Sequence, residues 1–424
     1  MANSLTLSNS GADSWATVAE DGSLRVPPEL AARYGLTPGN RVYFEPNGAG
    51  LHVRRSVDQL AKIYVEPSGR CNLDCVTCIR NVWAAPNEIM SAATYERILA
   101  DLPQFSPTPT IFFGGLGEPL MHPRLPEMIA QAKALGAPVE LITNGTLLTE
   151  RLARRLIEAG LDRLWVSLDG ATPESYADVR LGASLPKVVA NVKRFSQLRP
   201  AAIRPYPEIG ISFVAMQRNI QDLPNLMRLA RRLGATRLMV SNVLPYTEQM
   251  KPEMLYTRVT NNITFLPSKE APHINIPKMM TDQLVSQMLD QVMGQGWNVS
   301  FAGNNLGARN DQCPFIEDGT TSVGWDGGVS PCWPLLHDHV SYMNDQPRTS
   351  HRYAVGNVAE QGLAALWRSP EYRAFRQKVQ AFDFAPCTFC GGCDMSVDNQ
   401  TDCFGNEFPT CGGCLWAQGV VQCP

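Results

Sequence analysis

Between residues 58 and 242 short apolar runs alternate with amphipathic stretches. Segments 62–66, 110–114, 138–142, 163–168, 208–214 and 237–242 have strand length and carry β-branched and aromatic residues. Helical spacing fills the gaps between them. Segment 149–159 places Leu152, Leu156 and Ile157 on one face, with Thr149 as its N-cap and Gly160 as its stop. Segment 223–233 stops in the same way at Gly234. Six strands joined by helical crossovers predict an α/β fold with a parallel sheet, and chemistry at the carboxyl ends of the strands.

The flanks read differently. In segment 14–57, Val18, Leu24 and Val26 surround the turn Glu20-Asp21-Gly22. A short helix follows Pro27-Pro28 with Leu30 and Ala31 apolar, and Leu36-Thr37-Pro38-Gly39 is a turn. Arg41-Val42-Tyr43-Phe44-Glu45 and Leu51-His52-Val53-Arg54 then flank the turn Pro46-Asn47-Gly48, which predicts a hairpin. Residues 1–13 are a polar tail. Residues 246–312 are rich in Pro, Asn and Met and weakly periodic, a bridge to the last segment, 313–424.

Composition narrows the function classes. Apolar residues make up 44% of the 424 and the net charge is −3, which suits a globular chain and disfavours one held mainly by phosphates. No run is long and apolar enough to span a bilayer, and the polar N-terminus shows no secretory pattern, so a cytoplasmic location with no membrane partner is expected. The 12 cysteines are placed unevenly: Cys71, Cys75 and Cys78, then none until nine crowd into residues 313–423. In a reducing compartment such crowding favours metal binding over disulfides.

The loop Cys71-x3-Cys75-x2-Cys78 follows the first strand of the alternating region. Three thiolates can hold three irons of a [4Fe–4S] cube and leave the fourth open to a chelating small molecule such as S-adenosylmethionine (SAM). Structural zinc wants four closed ligands, and this loop supplies three with no nearby histidine.

Over about residues 58–245 the chain resembles the radical SAM superfamily. The resemblance rests on this loop and on the groups that follow the later strands: Gly114-Gly115-Leu116-Gly117-Glu118-Pro119, Thr143-Asn144-Gly145, and Ser167-Leu168-Asp169-Gly170. It implies a partial (β/α)6 TIM-type barrel in which Cys71, Cys75 and Cys78 are the catalytic cluster ligands. It also implies that Gly114, Gly115, Gly117, Glu118, Asn144, Ser167 and Arg180 lie around SAM, the last two at its ribose or carboxylate. Asp169 either contacts SAM or ends its strand. Thr77 stands where the family often has an aromatic residue against the adenine.

The C-terminal field begins with Cys313-x13-Gly327-x4-Cys332. It continues with Cys387, Cys390, Cys393, Cys403, Cys411, Cys414 and Cys423, enough for two four-cysteine clusters with one thiol left over. The pairs Cys387-x2-Cys390 and Cys411-x2-Cys414 alone also fit a zinc ribbon. The first element resembles the SPASM extension of radical SAM enzymes that modify peptides and proteins, which implies one or two auxiliary [4Fe–4S] clusters. The spacing of the middle run departs from that pattern. Trp333 stands where sulfatase-maturing relatives have an acidic base, which disfavours that activity, and Asp326 is read as shaping the Asp-Gly-Gly turn. His337 and His339 are read as surface or loop packing.

Segment 14–57 resembles the AbrB-like swapped-hairpin domain, with PPEL and LTPGNRV as its core. Members often bind DNA. Over residues 14–58 five Arg (25, 33, 41, 54, 55) meet five acids (Glu20, Asp21, Glu29, Glu45, Asp58), and that neutrality speaks against nucleic acid as a partner. Together with the cysteine-rich tail, this front segment resembles the radical SAM maturases associated with tungsten-cofactor aldehyde oxidoreductases. The expectation is an oxygen-sensitive maturase acting on a protein or peptide, with ferredoxin or flavodoxin as reductant and the C-terminal domain covering the barrel mouth. A peptide-crosslinking maturase, a DNA-binding regulator with redox-sensing clusters and a zinc-built scaffold are the alternatives.

Overall fold

The computed structural model describes residues 16–28, 30–31, 36, 42–47, 50–83, 85–200, 206–256, 287–288, 299–301, 312–343, 345–389 and 393–424. The polar tail, Cys390 and most of the 246–312 bridge lie outside them.

In the N-terminal segment β1 (Thr17–Val18) and β2 (Leu24–Arg25) form the expected hairpin. β3 (Tyr43–Asn47) pairs with β4 (Gly50–Arg54) out to Asn47↔Gly50. Pro46 and Asn47, read as turn residues, are therefore strand residues. Pro46 faces Leu51 in a two-stranded ribbon, where a missing N–H on an outer edge costs no ladder bond.

The six expected strands form, as β5 (Lys62–Val65), β6 (Thr110–Phe113), β7 (Val139–Thr143), β8 (Arg163–Ser167), β9 (Glu208–Ala215) and β10 (Arg237–Asn242). They pair in parallel in chain order, Val65 opposite Phe113 and Val240 opposite Phe213. Local signals set the crossovers. Thr149 accepts a bond from the Leu152 N–H to start helix Glu150–Glu158, and Gly160 leaves it at φ +87°.

The sheet is wider than expected. β11 (Val299–Phe301) extends one edge beyond β10. On the other edge β12 (Thr320–Val323) joins β5 in parallel, followed by antiparallel β13 (Gly328–Ser330). The chain then makes a separate hairpin, β14 (His339–Met343) with β15 (Gln346–Ser350), before β16 (Gly356–Asn357) returns to pair with β13. Strands β12, β13 and β16 come from the cysteine-rich segment, so that segment shares the central sheet. The order β11-β10-β9-β8-β7-β6-β5-β12-β13-β16 shows no closing pair among the described residues.

Strand alternation splits the core in two. Ile63, Val65, Ile111, Phe113, Leu164 and Val166 pack under the helices, while Tyr64, Phe112, Trp165 and Met239 point to the opposite face. Leu415, Trp416, Val420 and Val421 from the C-terminal end cover that second face. Hydrogen bonds hold this segment down: Asn242 Nδ2 donates to the Val420 carbonyl (2.9 Å), and Lys62 Nζ and Tyr64 Oη donate to the Pro424 carbonyl (2.9 and 2.7 Å). The C-terminal residues thus fill the inside of the sheet.

Candidate active site

The three-cysteine loop leaves β5 through Glu66 and is tied down by its backbone. Asp74 and Val76 donate to the carbonyls of Leu181 and Val179, and the Cys78 N–H donates to the Cys75 carbonyl (3.1 Å). The N–H groups of Leu73 and Arg80 point at the sulfurs of Cys71 and Cys78 (both 3.4 Å). The glycine-rich turn after β6 lies against this loop. Glu118 donates its N–H to the Arg70 carbonyl (2.7 Å), and a Cβ on Gly117 would stand 2.1 Å from the Ser68 carbonyl oxygen. Only glycine permits that approach.

The residues expected around SAM lie near this loop. Asn144 Nδ2 donates to Asn72 Oδ1 (3.1 Å) and reaches Cys71 Sγ at 3.9 Å. Glu118 is buried and accepts from Thr143 Oγ1 (2.6 Å), the Asn144 N–H (2.8 Å) and the Leu120 N–H (3.0 Å). Burial raises its pKa against those bonds, and its oxygens are spent on holding the β7 end in place. Gly114 has no room for a Cβ beside the Phe112 ring (2.5 Å), and Gly115 adopts φ +118° against the Glu66 side chain. Ser167 is half-buried at the end of β8. Arg180, its side chain 13% exposed, is paired with the buried Asp169 (2.7 Å), whose other oxygen accepts the Val214 N–H. Burial opposes the Arg180 charge, but Asp169 and the neighbouring Cys75 outweigh it and hold its pKa up. Asp169 therefore acts through Arg180 beside the cluster loop.

These residues fit an iron–sulfur cluster. Burial pushes all three thiols above their ordinary value, Cys78 to about 11. Such thiols give up their protons when metal arrives. Arg80 Nε and Tyr176 Oη are buried beside them without partners. Among the described residues no three carboxylates, imidazoles or thiols converge tightly enough to share one metal ion.

A second site has formed among distant cysteines. Cys313, Cys332, Cys411 and Cys414 line one cavity together with His339, Arg348 and Thr410. The Thr410 hydroxyl is buried there without a partner, and burial pushes the four thiols up, Cys313 to about 12. The two glycines between Cys411 and Cys414 are set by packing. A Cβ on Gly412 would meet the Ala385 carbonyl at 1.7 Å, and one on Gly413 the Arg348 guanidinium at 2.6 Å. Cys387 is buried with Met343 and Ala385, Cys393 is half-buried and Cys403 is exposed. Cys423 accepts a bond from Trp416 Nε1 (3.3 Å) on the inner face of the sheet.

Asp326 shapes its turn as expected, accepting the Gly328 N–H (3.0 Å) and pairing with Arg352 (2.7 Å). Of the two histidines, His337 packs within a loop and His339 lies in β14. Both are buried: His339 Nδ1 donates to the His337 carbonyl (3.0 Å), and His337 Nε2 bonds Glu66 Oε2 (2.8 Å). Surface or loop packing was the sequence reading; His337 does pack within a loop, but its buried partner was not legible because Glu66 and His337, 271 positions apart, meet through the β5–β12 pairing. The one available signal was an acid ending the apolar run Lys-Ile-Tyr-Val-Glu.

Comparison with known proteins agrees with this geometry. The radical SAM superfamily model matches residues 65–230, and the SPASM model, an iron–sulfur cluster-binding domain, matches residues 313–394. A tungsten-containing aldehyde ferredoxin oxidoreductase cofactor-modifying protein from Pyrococcus furiosus is 31% identical over 366 residues, 85% of this chain and 96% of that protein. Two solved structures share the fold. Native anSMEcpe with bound AdoMet aligns at 18% identity and TM-score 0.55, over 85% of this chain and 95% of that one. Streptococcus suis SuiB bound to precursor peptide SuiA aligns at 15% identity and TM-score 0.54, over 79% and 70%.

Proposed function

This chain belongs to the radical SAM superfamily, as a SAM- and [4Fe–4S]-dependent enzyme with a SPASM domain, and on that premise we propose that it matures a tungsten-containing aldehyde oxidoreductase by modifying that protein or its cofactor. The observation that carries this reading is the 31% identity to the Pyrococcus furiosus cofactor-modifying protein across 96% of that relative's length.

Cys71, Cys75 and Cys78 hold the catalytic cluster. When bound there, such a cluster would supply the electron for reductive cleavage of SAM. Gly114, Gly115 and Gly117 let backbone carbonyls approach the SAM amino group. Arg180, kept charged by Asp169, and Ser167 meet its carboxylate or ribose. Glu118 and Asn144 hold the rim, Asn144 through Cys71 Sγ. Trp416, Val420 and Val421 fill the inner face of the sheet, which supports exclusion of water from the reacting centre.

Cys313, Cys332, Cys411 and Cys414 hold one auxiliary cluster beside Arg348, whose positive charge offsets four thiolates. Cys387, Cys390, Cys393 and Cys403 are then left for a second cluster, with Cys423 as the spare thiol. Electrons come from a ferredoxin- or flavodoxin-type reductant. Residues 14–57 are an AbrB-like unit that docks a protein partner, in keeping with their balanced charges.

The test is anaerobic incubation of reconstituted enzyme with SAM, dithionite and an immature tungsten oxidoreductase. Formation of 5′-deoxyadenosine should rise when the oxidoreductase is added, and that protein or its cofactor should change in mass. Turnover that responds to a precursor peptide and ignores the oxidoreductase would move the assignment to peptide crosslinking.

A further inference from the structure

Glu66 carries a fully buried carboxylate at the point where β5 ends and the cluster loop begins. A buried charge is costly unless it is paired and hydrogen-bonded. Its two oxygens are used on two different segments. Oε1 accepts the Leu116 N–H (3.1 Å) in the glycine-rich turn, and Oε2 meets His337 Nε2 (2.8 Å), which stands five residues after Cys332. The turn is indexed on this side chain in a second way. Gly115 runs at φ +118° with its α-carbon against Glu66, so that a Cβ would lie 2.7 Å from Glu66 Cγ. The His337 ring is flanked in turn by Trp83, whose ring meets it edge-on at 4.7 Å just beyond the cluster loop. A structural filler would need no carboxylate here, because an apolar side chain of similar volume would avoid the desolvation.

We infer that Glu66 and His337 form a positioning pair through which the auxiliary-cluster segment holds the glycine-rich turn in register for SAM. The pair acts through the backbone of Leu116. It rests on the assignment of the Gly114–Glu118 turn to SAM.

The experiment compares wild type, His337→Ala and His337→Gln as full-length, reconstituted proteins, with melting temperature as a check on folding. Amide exchange at Leu116, measured without SAM, reads the pair directly. SAM affinity and the KM and kcat for 5′-deoxyadenosine read its consequence. His337→Ala should speed exchange at Leu116 but not in β8, and should raise KM for SAM about tenfold with kcat within about twofold. His337→Gln, whose amide can still donate to Glu66, should restore most of both. Unchanged exchange in His337→Ala would overturn the pair. Faster exchange with unchanged SAM affinity would overturn the assignment of the turn to SAM and the proposal with it. A glutamine variant no better than alanine also counts against positioning, and it decides the matter if the alanine variant does not fold.

Discussion

The two thiol sites of this protein are built in opposite ways. Cys71, Cys75 and Cys78 share one loop of eight residues, so the three thiols are close in the chain, even though Asp74 and Val76 also tie that loop to the carbonyls of Leu181 and Val179. Cys313, Cys332, Cys411 and Cys414 come from segments spread over residues 313–414, and the pairing of β12 and β13 together with the packing around Arg348 brings them to one cavity. The first site closes a short loop; the second needs long loops closed by the rest of the fold. A local site tolerates distant damage, whereas an assembled one depends on every contact that assembles it.

The sharpest test of this contrast removes one ligand from each site. Cys75→Ala should abolish 5′-deoxyadenosine formation and lower iron by about four per chain, while leaving the auxiliary cluster. Cys411→Ser should also lower iron by about four, yet retain SAM cleavage. Equal loss of SAM cleavage in both would erase the distinction. A backbone lesion with every ligand intact comes next. Gly412→Ala puts a methyl group onto the Ala385 carbonyl and should empty the auxiliary site as fully as Cys411→Ser, read by iron content and EPR.

The Asp169–Arg180 pair should produce a stability effect. Asp169→Asn leaves Arg180 uncompensated and should cost on the order of 3–5 kcal/mol in denaturant unfolding. A smaller effect follows from Cys78. Its thiol is raised from the ordinary 9.0 to about 11 in the fold, so the protonated form favours folding. In metal-free protein that contribution is whole below pH 9 and is lost as pH rises toward 11. The melting temperature should fall over that window, less steeply in Cys78→Ala. Cys423, also raised to about 11, titrates in the same window and is present in both proteins. The least effect is expected from Cys423→Ser, which should leave iron content unchanged, in contrast to Cys411→Ser.

The legibility of the molecule follows the same division. All six parallel strands were readable because each is a short apolar run between turn signals, and Thr149 and Gly160 marked their helix because capping acts within a few residues. Pro46 was misplaced because a turn-former sitting at an open edge looks the same in sequence as one in a turn. The partner of His337 was not legible because it lies 271 positions away.

What the chain determined by itself is the three-cysteine loop, the six strands and the residues at their ends, since alternation, capping and close cysteine spacing are all encoded within a few neighbouring positions. Which four of the nine C-terminal thiols share a cavity, that β12 extends the central sheet, and that Glu66 is matched by His337 were decided only by tertiary structure. Those outcomes depend on desolvation and packing between segments that no local pattern connects.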